Sequence, residues 1–168
     1  MKKLELQFLQ AELNRISEWI RFSDRKSAFL SVYYSAILGI LISQKEQFRD
    51  LISTLENWYF CLFMLLIILV FLLFFVGLFF LIKSIFPRLK NNLTDKSLFY
   101  FGNIAKIKFV DYLKGMEKLT EEESKKQITE QIYTNSIIAD QKMKNVQNSI
   151  KSLFVLAILI LVINLTFK

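Results

Sequence analysis

Apolar and polar positions fall in long blocks along this chain rather than in short alternations. Trp58 to Ile82 is a run of 25 residues without a charge. A helix needs about 20 apolar residues to cross the hydrocarbon core of a bilayer. At about 1.5 Å per residue this run reaches roughly 37 Å, enough to cross with tilt. Ser27 to Ser43 is a second uncharged run, of 17 residues, shorter and more polar. Leu153 to Phe167 is a third, of 15 residues. It reaches spanning length if Ser149, Ile150 and the stem of Lys151 enter the interface, because lysine snorkels. The pattern predicts three transmembrane helices, with two as the alternative.

The flanking segments carry helical periods. Leu6, Leu9, Leu13, Ile16 and Ile20 recur at spacings of three and four. With no Gly or Pro to interrupt it, this helix is expected to run on into the first span. Its apolar stripe suits either a helix lying on the bilayer or one packed against partner subunits. Pro87 ends the second span's helix. Residues 88–97 are polar and rich in turn formers, and 98–119 predict one or two short helices broken near Gly102. Thr120 followed by Glu121, Glu122 and Glu123 has the form of a capping box. From there to Lys168 no Gly or Pro occurs, and Ile128, Ile132, Ala139, Met143, Val146, Ile150 and Leu153 form a stripe. One helix of about 48 residues is expected, roughly 70 Å long, with Asn135 in its seam.

Composition narrows the function. The chain has 168 residues, 54% of them hydrophobic, and no His. No His-dependent base, triad or zinc site can form, and no Gly-rich phosphate loop is present. The one Cys, Cys61, lies inside an apolar run. A non-enzyme is expected, with no cofactor or metal. Residues 1–26 are not a signal peptide, since they carry ten charges and precede no cleavage site. Residues 1–26 hold six Lys/Arg, 44–57 hold two and 83–151 hold thirteen. The positive-inside rule then places the N-terminus and 83–151 in the cytoplasm, the short 44–57 loop outside and Lys168 outside. The expected architecture is an all-α, multi-pass membrane protein. It divides into an amphipathic N-terminal helix (1–26), a transmembrane hairpin (27–82), a cytoplasmic helical sensing segment (83–151) and a third transmembrane helix (152–168).

Two groups of residues are candidates for function. In the first span Ser27, Ser31, Ser35, Gly39 and Ser43 recur every fourth residue, all small, with Tyr34 beside them. Small residues let helices approach closely in lipid, where no hydrophobic drive brings them together. The ridge is either a contact within one subunit or a hydroxyl lining between subunits. The second span, with only Cys61 and Gly77 as small residues, is expected to face lipid. The first span, or the third with Asn164 and Thr166, is left to face an axis. In the cytoplasmic segment Arg88, Lys90, Lys96, Lys106 and Lys108 lie near Tyr100 and Phe101. Such a cluster serves topology and headgroup contact, or it binds a phosphate-bearing ligand, with aromatics stacking on bases.

Phe22-Ser-Asp-Arg-Lys-Ser-Ala28, at the start of the first span, resembles the aspartate–lysine–alanine pattern of the PycTM family of Pycsar anti-phage effectors. So do Pro87 with Arg88, Phe99 to Gly102 with Ile104 and Ala105, Tyr112, and Gln131 to Tyr133 through Ile137, Ile138 and Lys142. The likeness runs over about residues 15–165. Lys106 to Phe109 departs from it, and no cyclic-nucleotide-binding β-domain is appended. The resemblance implies a homo-oligomeric channel of the bacterial inner membrane, taken as a tetramer, that depolarises the infected cell. In Pycsar its signal is a cyclic pyrimidine nucleotide from a partner cyclase. In the related Hailong systems it is a short single-stranded DNA from a partner nucleotidyltransferase. The competing readings are a membrane adaptor whose cytoplasmic helices dock a partner protein, and a holin-like toxin that needs no ligand.

Overall fold

The structure, a computed structural model, describes residues 5–86 and 97–167. Among them every regular element is helical: α1 Leu6–Ser43, α2 Lys45–Thr54, α3 Asn57–Ile85, α4 Phe101–Ile104, α5 Phe109–Lys118 and α6 Glu121–Thr166. Three of these, α1, α3 and α6, are long and apolar enough to cross a membrane. The chain forms two compact units, one drawn from residues 1–22 and 87–141, the other from 23–86 and 142–168.

In the first unit α1 begins with the stripe read from the sequence. Leu9 is buried, and Leu6, Leu13, Ile16 and Ile20 are half-buried. The opposite face carries i,i+3 ion pairs, Glu12 with Arg15 and Glu18 with Arg21. The Arg15 hydrogen bond holds the Glu12 carboxyl below its ordinary range. The capping box closes as its residue types require. Glu123 N donates to Thr120 Oγ1 at 3.2 Å, and Thr120 N donates to a Glu123 carboxylate oxygen at 3.1 Å. Two backbone donors with no intrahelical partner are thereby satisfied. The Gln127 amide oxygen accepts Leu98 N at 2.8 Å, which ties residues 97–98 to α6. The break expected near Gly102 lies later. Gly102 is inside α4, and residues 105–108 separate α4 from α5.

The second unit is a bundle of the spanning parts of α1, α3 and α6, with α2 against it. Each long helix contributes one stripe. On α1 it is Ser23, Ser27, Leu30 and Tyr34, continued by the half-buried Ile37 and Leu41. On α3 it is Phe63, Val70, Phe74, Gly77, Leu81 and Ser84. On α6 it is Lys142, Val146, Ser149, Ser152, Leu156 and Ile163. Spacings of three, four and seven keep each set on one side of its helix. The remaining circumference is exposed and apolar, as lipid contact requires: Phe29, Ile42, Leu65, Phe75, Phe154 and Leu165 are among its members.

Three expectations need correction here. The second span is not uniformly lipid-facing, since α3 buries its stripe as fully as the other two helices do. Its helix ends at Ile85, just before Pro87, and so includes Ser84. The seam of α6 passes through Ser149, with Ile150 exposed, because helix pairing places the smaller residue in the close contact. Residues 44–57 are not simply a loop: α2 fills most of them, with Phe48, Leu51 and Leu55 packed on the core.

Candidate functional site

The interior of the three-helix unit is unusually polar. Ser23, Ser27, Ser84, Ser149 and Ser152 are all buried, as is Lys142. A buried hydroxyl without a partner costs free energy, most of all in lipid, where water cannot substitute. Most of these hydroxyls are therefore paired. Ser27 donates to Ser23 O at 3.0 Å and lies 2.7 Å from Ser84 Oγ, linking α1 to α3. Tyr34 OH donates to Ser149 O at 3.1 Å and accepts from Ser149 Oγ at 3.3 Å, linking α1 to α6. Ser152 donates to Leu73 O at 2.7 Å, linking α6 to α3. Each pair of helices thus has its own hydrogen bond. Ser23 Oγ, with 0% exposure, has no partner.

Tyr34 reaches Ser149 because Gly77 makes room. A Cβ at Gly77 would lie 1.9 Å from Tyr34 OH and 3.0 Å from Ser152 Cβ. The glycine is required by close approach, with no unusual backbone dihedral. Tyr34 also meets Phe74 edge-on, centroids 5.5 Å apart.

An ion pair lies at the polar end of this interior. Lys142 Nζ donates to Asp24 Oδ1 across 118 residues of sequence, joining α1 to α6. Unlike the pairs Glu12–Arg15, Glu18–Arg21 and Glu121–Lys125, it joins two different helices. Its two members differ: the Lys142 side chain is 8% exposed and that of Asp24 is 49%. The lysine is the desolvated charge, and the aspartate faces it from the rim. Both residues belong to stretches that carried the sequence resemblance. Their pairing, the four other buried serines and the fit of Tyr34 to Gly77 were not read from the sequence.

The ridge of small residues divides along its length. Ser27 is buried, Ser31 half-buried, and Ser35, Gly39 and Ser43 are exposed. A step of four residues advances about 400° around a helix, so the ridge drifts by about 40° per step. It starts inside the unit and ends outside it. Among the described residues, leaving aside its chain neighbours and the adjacent backbone of its own helix, nothing comes within 4 Å of a Cβ built on Gly39. Ser31 and Ser35 donate to the carbonyls of Ser27 and Ser31, four residues back, which satisfies them within the helix. Asn164 and Thr166 do the same on α6, to Ile160 O and Val162 O, and are exposed.

Of the proposed ligand residues, Arg88, Lys90 and Lys96 lie outside the described residues. Lys106 and Lys108 are exposed in the 105–108 connection and at the start of α5. Tyr100 is half-buried, with its ring against Gly102. A concavity of about 470 Å³ in the first unit is lined by other residues, including Lys118, Lys126 and Gln127, none of them singled out from the sequence.

Comparison with curated proteins and with solved structures returned no match. The model of one family, PycTM, described as the Pycsar effector protein domain, matches residues 8–167 and so covers all six helices but for their outermost residues. Nearly the whole chain carries that pattern, including Asp24, Lys142 and the helices that join them, and the protein belongs to the PycTM family of Pycsar effectors.

Proposed function

We propose that this protein is a homo-oligomeric channel that depolarises the bacterial membrane during phage infection. Membership of the Pycsar effector family supports a membrane effector of anti-phage defence. The observation that carries the finer reading is the division of the α1 ridge. Ser35, Gly39 and Ser43 offer an exposed close-packing surface, and at Gly39 no other helix among the described residues comes within 4 Å of a built Cβ. Copies of the chain meet along this surface, as a tetramer around an axis. The N-terminus and the first unit lie in the cytoplasm, in keeping with their Lys/Arg content. There the first unit receives a nucleotide or short single-stranded DNA made by a partner cyclase or nucleotidyltransferase. The basic segment from Arg88 to Lys108 supplies phosphate contacts, and the protein itself performs no catalysis. Because α6 contributes to both units as one uninterrupted helix, a signal acting on residues 121–141 biases residues 142–166. Such coupling requires two arrangements whose balance the ligand shifts.

The test is potential-sensitive dye fluorescence in infected cells, paired with planar-bilayer recording of the purified protein. Depolarisation on infection together with discrete single-channel steps is the expected result. Protection without conductance would favour an adaptor. Killing that never depends on infection or ligand would favour an ungated toxin.

A further inference from the structure

We infer that the groove at the α2 end of the three-helix unit holds one acyl chain of a glycerophospholipid, with the lipid phosphate on Lys45 and Arg49. The inference rests on reading α1, α3 and α6 as spanning helices. The groove has a volume of about 260 Å³. Ile37, Leu41, Phe48, Ile67 and Ile160 are among its lining residues, and its only polar members are Gln44 and Asn164. The Asn164 amide nitrogen already donates to Ile160 O at 3.0 Å. Nine of its eleven lining residues are apolar, so an alkyl chain suits the space better than water, which needs several polar partners.

Helix α2 supplies the complement to a headgroup. Its apolar residues Phe48 and Leu51 pack on the core, and Lys45, Glu46, Arg49 and Asp50 are exposed. At about 100° per residue the two basic positions fall within about 40° of each other and border the Phe48 face. Glu46 and Asp50 fall about 100° further round, on the side away from the groove. Among the described residues neither Lys45 nor Arg49 takes part in an ion pair. A short helix with its apolar face down and its cations at the boundary is the form of an interfacial segment, and those cations stand at phosphate level. The same residue, Phe48, lines the groove, one turn from Lys45 and next to Arg49 in sequence, so chain and phosphate are held by one element.

The full-length protein is returned to nanodiscs of equal phosphatidylethanolamine and phosphatidylglycerol after delipidation, and bound lipid is counted by native mass spectrometry. Wild type is expected to retain one phospholipid per chain. Ala157→Trp, which fills the groove, is expected to lower retention at least tenfold. Lys45→Gln with Arg49→Gln, on the exposed surface where folding is not at risk, is expected to lower it severalfold. A wild type that retains no phospholipid overturns the inference. So does retention of lipid at the wild-type level by both variants, or loss of oligomers in Ala157→Trp with lipid unchanged, which would assign the groove to a second copy. All of these variants should still fractionate with membranes. Failure of that fractionation would instead overturn the spanning assignment.

Discussion

The two faces of α1 within the second unit use the same residue types to opposite ends. On the inner face Ser27 meets Ser84 of α3 and Tyr34 meets Ser149 of α6, through hydrogen bonds at 2.7 and 3.1 Å. On the outer face Ser35 and Ser43 donate only to carbonyls of their own helix. Of the serines on these two faces only Ser23 Oγ lacks a hydrogen-bond partner among the described residues. What distinguishes the faces is whether the partner lies on another helix or on its own. The inner hydroxyls therefore specify how three helices fit. The outer ones leave a smooth, small surface that costs nothing to hold bare in the monomer and lets another helix approach.

The ion pair gives the largest expected effect. Asp24→Ala leaves the buried Lys142 ammonium without its counter-charge and should destabilise the protein by about 3 kcal/mol, read as a lower unfolding midpoint in detergent. Lys142→Met removes the desolvated charge and leaves an aspartate that is half exposed to water. Its cost should be clearly smaller than that of Asp24→Ala. Equal losses would mean that Lys142 is solvated in the membrane-bound protein.

Next in size is the Tyr34 fit. Gly77→Leu should cost about 1–3 kcal/mol through overpacking. Gly77→Ala should be costly in wild type and tolerated better with Tyr34→Phe, because the atom nearest the new Cβ is Tyr34 OH. Additivity of the two changes would show that the hydroxyl is not what Gly77 accommodates. Tyr34→Phe alone, and Ser27→Ala, should each cost about 0.6–1 kcal/mol, the scale of an interhelical hydrogen bond in a membrane. Smaller still, Ser35→Leu and Gly39→Leu should leave the melting point of the monomer unchanged, yet break up oligomers in gel filtration and abolish protection from phage. Glu12→Gln should change neither, since Glu12 and Arg15 are a solvated pair on one helix.

What the sequence made legible was local. The three uncharged runs, the capping box at Thr120 and the absence of Gly and Pro were enough to place α1, α3 and α6. Pairings across the chain were not legible. Asp24 and Lys142 were visible as motif residues, but no spacing rule brings together positions 118 apart. Gly77 read as one small residue in a greasy run, because its meaning lies in Tyr34 on another helix. Ser84 lies past Lys83, beyond the uncharged run, so composition gives no reason to single it out, although Pro87 already marks where the helix ends. The i+4 ridge drifts around the helix from the core to the outside, a change of surroundings that the spacing alone does not display. Residues 44–57 read as a loop because charges interrupt them, while the spacing of Phe48, Leu51 and Leu55 already held one apolar face.

The difference between the two faces of α1 is tested most directly by cysteine cross-linking in native membranes. In a Cys61→Ser background, Gly39→Cys and Ser27→Cys are each oxidised and run on non-reducing gels. Gly39→Cys is expected to form disulfide-linked dimers and Ser27→Cys to remain monomeric. Dimers from Ser27→Cys with none from Gly39→Cys would place the buried hydroxyl face between subunits and contradict the account.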